Sequence, residues 1–346
     1  ELKREFVPQL CLLKALYDYL NVERDKREAV KNFIRTEKTF MLEGWVPYDK
    51  VEELEAAVKS VSPHYWMEAS DPSEGEEPPV LLRNNPLVEP FELITELYSL
   101  PNTGEVDPNA LMAPFYATFF GIMVSDAGYG LAITILAAFV LLKLKPEGLM
   151  GKLTRLLFLG GISTTFWGAL FGGWFGNIFP IFGIQVKPLW FDPLEDPLRL
   201  LIFSFILGVI HLFVGMGIKA YMNIRDGHWL DAIFDQGFWC VFLLGLIFLL
   251  VPGCESAGKY MSISGAVLLI LTQGRSEKNI FKKLISGIIS LYGASEFLSD
   301  VLSYSRLLAL GLGTGVIAVV INTMGTLMGF NILGYILLTV VFVVGH

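Results

Sequence analysis

Arg306 lies near the middle of a long apolar stretch, and it is the residue whose type and place most clearly indicate function. A guanidinium stays protonated, so it can act as a fixed positive charge but not as a proton carrier. About twenty predicted helical residues on either side keep its side chain from reaching the membrane interface. Placing an arginine at the centre of a membrane helix costs ~2.5 to 3.5 kcal/mol. Arg306 therefore requires a carboxylate or a water-filled cavity. The alternative to a functional role is an ion pair within the chain, with Asp300, Glu296 or Asp126.

The helical face that carries Arg306 is rich in small residues. At 100° per residue it also contains Ser299, Ser303, Leu310, Gly313 and Ile317. Small residues allow a second helix to approach closely. Gly311 and Gly313 are therefore predicted to line a surface for another helix, although glycines also serve ordinary packing.

Two carboxylates precede Arg306 and one lies far upstream. Glu296 and Asp300 stand ten and six residues before it, one helical turn apart. Carboxylates can accept and release protons, so with Ser303 they are predicted to line a polar path from the cytoplasm; solvated acids at a helix end are the alternative. Asp126, at a predicted hairpin tip, faces the opposite side, where it lines an external path or caps the turn.

Other residues of chemical interest have simpler interpretations. Asp231 and Asp235 suit the start of a helix, where the dipole favours acids. His211 is interpreted as a satisfied intrahelical histidine, and the three cysteines lack metal or redox spacing. The sequence has no Walker, GxSxG or metal motif. We therefore expect no cofactor, no metal and no ATP site.

Composition identifies the solvent of these residues as the bilayer. Hydrophobic residues make up 53% and charged residues 17%, with a mean hydropathy of +0.54. Residues 1–109 carry 12 basic and 22 acidic residues, against 14 and 12 in residues 110–346. An acidic balance argues against nucleic acid as a partner. We predict a cytoplasmic domain, 1–109, and an ion-translocating transmembrane domain, 110–346.

The fold class predicted is a polytopic α-helical membrane protein with about eight transmembrane helices, the last truncated. The spans are about 112–125, 129–143, 153–178, 198–221, 229–251, 258–273, 285–327 and 332–346. The first two are short, and 112–143 is either one helix or a hairpin. The hairpin places most basic loop residues on one side, which predicts a cytoplasmic N-terminal domain. The seventh span, ~60 Å long, must tilt, kink or project from the membrane.

The N-terminal part is predicted to be a small α+β lobe with an amphipathic helix. The helix covers residues 1–35 and has an expected break at Pro8. A strand over 39–47, a helix over 48–61 and a strand over 64–68 follow, and residues 74–79 are a polar loop. Because the chain starts without Met and stops inside an apolar run, we expect a fragment of a longer protein.

Two stretches resemble a known family. Residues 119–130, FFGIMVSDAGYG, resemble the FFGxMxGDxGxG signature of the membrane stator subunit, subunit a or I, of rotary V-type and archaeal-type ATPases. Residues 298–312, LSDVLSYSRLLALGL, resemble its more specific LSDxxSYxRLxALGL motif. Residues 44–47 and 114–115 also fit. The resemblance covers essentially the whole chain and favours the archaeal and bacterial branch.

This resemblance implies a static, non-catalytic subunit beside a rotating proteolipid ring (c or K ring) whose helices carry buried carboxylates. Arg306 would attract each carboxylate and block leakage between two half-channels. Glu296, Asp300 and Ser303 would belong to the cytoplasmic half-channel and Asp126 to the external one. Implied partners are peripheral-stalk subunits of E/G type at the N-terminal domain and, indirectly, the soluble ATPase head. The implied location is a prokaryotic plasma membrane, and the implied ion is H⁺ or Na⁺.

Three departures from the family pattern leave individual channel residues open. Ser125 replaces the usual Gly, while Thr314 and Tyr292 stand where the eukaryotic motif has His and Glu. The family's second arginine falls beyond His346. The alternative function from another class is a secondary transporter with an intramembrane Asp/Arg site, and a third class is a purely structural anchor.

Overall fold

The computed structural model describes residues 2–31, 33–73, 75–184, 186–275, 279–327, 339–340 and 342, and most of them are helical. Close contacts divide the chain into two compact units, Glu1–Leu81 and Leu82–His346. The elements of the first are α1 (Leu2–Val30), β1 (Ile34–Arg35), β2 (Phe40–Met41) and α2 (Val51–Val61). Those of the second are α3 (Glu92–Tyr98), α4 (Asn109–Val124), α5 (Ala127–Lys143), α6 (Gly148–Phe171), α7 (Ile178–Ile181), α8 (Pro197–Arg225), α9 (Trp229–Asp231), a π-helical turn (Ala232–Gly237), α10 (Phe238–Leu250), α11 (Glu255–Gln273), α12 (Ile280–Ser290), α13 (Gly293–Ser303) and α14 (Ser305–Thr326).

The first unit differs from its prediction in two places. α1 runs through position 8 without the expected break, so the hydrogen bond that a proline cannot donate is lost there without ending the helix. The strand predicted at 64–68 is wrong: β2 pairs antiparallel with β1 upstream instead. The helix predicted at 48–61 is confirmed as α2, preceded by a 3-10 turn. Two strands of two residues do not establish an α+β lobe, which stays a prediction.

The hairpin prediction for residues 112–143 is confirmed. The chain reverses between α4 and α5, where Ser125 adopts a left-handed conformation with φ of 45°. Both helices pack on α6 in opposite directions. Ser163 Oγ of α6 donates to the Ala117 carbonyl of α4 at 2.6 Å. On α5, a Cβ at Gly168 of α6 would lie only 2.0 Å from the Ala127 nitrogen, so this approach requires glycine.

Three helical stretches of the described residues are long and apolar enough to cross a membrane: Pro197–Arg225, Trp229–Leu250 and Phe281–Thr326. α4 and α5 are shorter apolar helices, in keeping with their predicted lengths. α6 and α11 occupy two further predicted spans. The predicted last span, 332–346, lies outside the described residues apart from 339, 340 and 342. The count of eight crossings stays a prediction.

The long seventh span is not one helix. It is divided into α12, α13 and α14, with turns at residues 291–292 and at Tyr304. Arg306 is therefore the second residue of α14 rather than the centre of an uninterrupted helix. The helical path continues through Tyr304, whose ψ of −8° tightens the turn.

A polar network holds α3 against the helices of the second unit. Lys152 Nζ of α6 donates to Glu92 Oε2 at 2.9 Å and to Glu96 Oε1 at 2.8 Å. Glu92 is only 5% exposed, and Asn84 also donates to it, at 3.0 Å. Nearby, Phe91 packs with Ala113 and Leu156. Burial lowers the pKa of Lys152, but hydrogen bonds and charges of Glu96 and Glu92 outweigh it and raise that pKa above its ordinary value.

We expect Lys152 to limit the stability of the fold at alkaline pH. A raised folded-state pKa stabilises the fold at pH below the ordinary lysine value of about 10.4, and the stabilisation is lost as pH rises through the folded pKa. Lys152→Arg keeps its charge. The thermal unfolding temperature of the full-length protein in detergent should therefore fall more steeply above about pH 10 for wild type than for Lys152→Arg. Equal losses in both would contradict the prediction.

Candidate functional site

Arg306 is exposed and unpaired within the described part of the chain. Its Nε donates to the Ser303 carbonyl at 3.1 Å, and it forms no ion pair with a described carboxylate. The internal ion pairs weighed above, with Asp300, Glu296 or Asp126, are therefore not formed there. The charge is presented on the surface of the unit.

α14 has two distinct faces. Its exposed stripe follows helical spacing from Arg306 through Leu310, Ile317, Val320 and Met324, and the half-exposed Gly313 lies between Leu310 and Ile317. A Cβ at Gly313 would meet no atom within 4 Å, so this glycine is open. Gly311 lies on the buried face, where a Cβ would stand 3.0 Å from the Ile122 carbonyl oxygen. Because Gly311 packs within this chain, we leave it out of the surface offered to a partner.

The two acids before Arg306 lie on the outside of α13. Glu296 and Asp300 are both exposed, and neither has an ion pair with a described basic residue. The inner face of α13 packs through Phe297, whose ring lies 6.0 Å from that of Phe213 on α8. Ser303 Oγ donates to the Asp300 carbonyl at 2.6 Å. The acids and Arg306 thus stand on exposed faces of successive helices.

Asp126 is buried, 3% exposed, and its carboxylate accepts four backbone N–H groups. Oδ1 accepts from Gly128 at 2.8 Å and Tyr129 at 3.1 Å, which caps α5. It also accepts from Phe175 at 2.8 Å, and Oδ2 accepts from Gly176 at 2.7 Å. Of the two roles considered for Asp126, the helix cap is therefore present. The same carboxylate also binds the loop of residues 172–177, which we call the clamp loop.

The clamp loop also holds α14. Asn322, 1% exposed, donates from Nδ2 to the Phe175 carbonyl at 2.7 Å and to Asn177 Oδ1 at 3.2 Å. Two more bonds join α14 to the end of α4: Ser125 Oγ to the Gly311 carbonyl, 3.3 Å, and Thr314 Oγ1 to the Met123 carbonyl, 3.0 Å. Asn322 was not predicted from the sequence, although an amide in an apolar helix was a visible signal.

A cavity of about 140 Å³ lies beside Asp126. It is bounded by the clamp loop, by the segment before α8 and by α14. Its lining includes Ser125, Asp126, Asn177, Asp192, Leu194, Gly311, Gly315 and Val319. Asp126 and Asp192 are the titratable groups in this lining. The cavity meets α14 beyond Arg306 in the chain, while Glu296 and Asp300 come before it.

Tyr304, at the turn before Arg306, is held by α8. Its hydroxyl lies 2.7 Å from His211 Nδ1, and its ring packs edge-on to Phe119. A Cβ at Gly208 would stand 2.5 Å from the Tyr304 ring, so the close approach requires glycine. The interpretation of His211 as a satisfied histidine is confirmed, and its partner is the motif tyrosine.

We expect the His211–Tyr304 hydrogen bond to contribute about 1 kcal/mol to stability. Tyr304→Phe and His211→Phe should each lower the unfolding free energy, and the double variant should cost less than the sum because both remove the same bond. Thermal unfolding of the four proteins in detergent measures this coupling. Strictly additive losses would show that the bond contributes nothing.

Asp231 and Asp235 are not free acids at a helix start. Arg275 binds both: Nη2 lies 2.7 Å from Asp231 Oδ1 and 2.7 Å from Asp235 Oδ2, and Nη1 donates to Asp235 Oδ1 at 2.8 Å. The hydrogen bonds that Arg275 donates to Asp235 lead the effects that raise the pKa of Arg275. The three line a polar recess of about 510 Å³ together with Lys219, Asn223, Gln236, Trp239 and Gln273. This pairing was not predicted from the sequence because the partners are forty or more residues apart.

The apolar helices, with an exposed arginine and exposed acids among them, define an integral membrane protein. Residues 3–187 match the model of the V-type ATPase 116kDa subunit family, and the chain belongs to that family. It is 34% identical over 96% of its length to an A-type ATP synthase subunit I of Methanocaldococcus jannaschii, of which it covers 53%. It is 32% identical over its full length to that of Methanothermobacter thermautotrophicus, of which it covers 51%.

A bacterial relative extends the similarity. The chain is 26% identical over 81% of its length to a V-type ATP synthase subunit I of Borreliella burgdorferi, of which it covers 49%. The chain thus spans about half the length of these curated relatives. These relatives confirm the resemblance drawn from the two motifs.

Proposed function

We propose that this chain is part of the static membrane subunit of a prokaryotic rotary ATPase or ATP synthase. In this function it forms two ion half-channels against a rotating proteolipid ring and couples H⁺ or Na⁺ translocation to ATP hydrolysis or synthesis. The observation that carries the proposal is the exposed guanidinium of Arg306, which has no ion pair with a described carboxylate and lies at the start of an apolar stripe on α14. The names of the relatives, subunits I of ATP synthases, agree with it.

The charges on this surface require a partner other than lipid. Glu296, Asp300 and Arg306 are exposed, and each charge placed against hydrocarbon costs several kcal/mol. A partner helix with a carboxylate satisfies Arg306, and the small residue Gly313 lets that helix approach. A ring of such helices supplies one carboxylate after another. The exposed stripe of α14 is the surface we assign to it.

The polar regions lie on opposite sides of Arg306 along the chain. Glu296 precedes it by ten residues, about 15 Å along a helix, and Gly315 follows it by nine, about 13 Å. The acids serve the cytoplasmic half-channel and the cavity beside Asp126 the external one. Arg306 separates them, so an ion crosses only by riding the ring. This arrangement requires the N-terminal unit to be cytoplasmic, where we expect peripheral-stalk subunits of E/G type to bind it.

Purified complexes test this function against a secondary transporter. A stator subunit should co-purify with a proteolipid ring and a soluble ATPase, and ATP should drive ion uptake into vesicles only when all are present. Titration of H⁺ and Na⁺ in the same assay identifies the ion. Solute transport by this subunit alone in vesicles would refute the proposal and favour the transporter.

A further inference from the structure

We propose that Asp192 is the carboxylate that exchanges ions with the outside medium, and that Asp126, which lines the same cavity, is a fixed clamp. The inference rests on the proposed function, because it assigns the groups of the external half-channel. The family resemblance implied Asp126 for that role, whereas its residue type and position left an external path and a turn cap open. The hydrogen bonds of the two carboxylates reverse the assignment.

Asp126 is poorly suited to cycle between protonated and ionised forms. Both of its oxygens accept backbone N–H groups, four in all, between 2.7 and 3.1 Å. Oδ1 already accepts three N–H groups, so a proton there would displace an acceptor contact, and a proton on Oδ2 would neutralise the charge to which all four N–H groups donate. Each turnover would then weaken the bonds that hold α5 and the clamp loop together. Asp126 is therefore a positioning residue.

Asp192 has the freedom that Asp126 lacks. It is half-buried, lines the same cavity, and accepts one N–H, from Leu194 to Oδ1 at 2.8 Å. Its other oxygen has no hydrogen bond from a described residue. The neighbouring Leu194 side chain lies 3.5 Å from a Cβ built on Gly315 of α14. Asp192 thus stands two residues from the contact with the helix that faces the ring.

The charges near Asp192 leave it without a fixed counter-ion. Asp126 lines the same cavity. On its own segment, Arg199 is paired with Asp196 at 3.3 Å and stacks over the Phe191 ring. Glu195, which is exposed, adds a further negative charge on that segment. No described cation pairs with Asp192, so its negative charge is available to an incoming H⁺ or Na⁺.

The test uses the complete complex in vesicles, with ATP-driven ion pumping and thermal stability as readouts. Asp192→Asn should lower pumping about a hundredfold, the typical effect of losing a proton-transfer group, without lowering assembly or stability. Asp192→Glu should restore most of it. Asp126→Asn should lower stability. Pumping by Asp192→Asn within about twofold of wild type would overturn the proposal.

Two further measurements complete the test. In a Cys254→Ser background, a cysteine replacing Asp192 should react with a membrane-impermeant thiol reagent added on the side opposite the ATPase head, and absence of reaction would overturn the proposal. Arg306→Ala serves as the reference in the same vesicles. If Arg306→Ala stops pumping while Asp192→Asn pumps normally, only the role of Asp192 is wrong. If Arg306→Ala pumps normally, the proposed function itself fails.

Discussion

Replacing Arg306 by alanine is expected to lower ATP-driven ion pumping by the assembled complex about 10²- to 10³-fold, with assembly intact. The guanidinium is exposed and has no ion pair with a described carboxylate, so among the described residues its loss breaks one hydrogen bond, to the Ser303 carbonyl. In the complex it would face a ring carboxylate, and removing one partner of a desolvated ion pair costs about 3 to 5 kcal/mol. Vesicles containing the whole complex measure pumping, and co-purification of the ring measures assembly.

Two variants make the arginine experiment specific. Arg306→Lys keeps a positive charge but loses the fork geometry and can lose its proton when buried, so it should recover activity only in part. Leu310→Ala, one turn along the same exposed stripe, removes apolar area without charge and should pump within about tenfold of wild type. Normal pumping by Arg306→Ala would favour a purely structural anchor.

Helical periodicity was sufficient to predict the face that carries Arg306. Leu310, Gly313 and Ile317 follow it at helical spacing, and the structure leaves all of them accessible. The reversal at residues 125–126 was likewise predictable, since basic loop residues sorted to one side only with a hairpin. Both features depend on local spacing along the chain, which a single sequence contains.

The features that were not predicted from the sequence depend on contacts between segments distant along the chain. The turn at Tyr304 relies on Gly208 and His211 of α8, about ninety residues earlier, and no local breaker marks it. Arg275 reaches Asp231 and Asp235 across forty residues. Gly311 was expected on the exposed face because small residues suit both a partner and internal packing. Contact with α4 buries Gly311, and helical periodicity alone does not reveal that contact.

The clamp around Asp126 leads to the largest expected loss of stability. Asp126→Ala would leave four buried N–H groups without acceptors, and an unsatisfied buried group costs about 1 to 3 kcal/mol. A loss of at least about 4 kcal/mol, or roughly 8 to 16 °C in unfolding temperature for a unit of this size, is expected. Thermal unfolding of the protein in detergent measures it.

Matched variants separate this clamp from general damage. Asp126→Asn keeps one carbonyl acceptor, so its loss should be smaller than that of Asp126→Ala. Asn322→Leu removes only the link between the clamp loop and α14, and it should cost about 1 to 3 kcal/mol because the Phe175 carbonyl loses its donor. Asp192→Asn, beside the same cavity, should leave the unfolding temperature unchanged. Equal stability of Asp126→Ala and wild type would mean that other contacts hold the clamp loop, and Asp126 would again be available as an ion carrier.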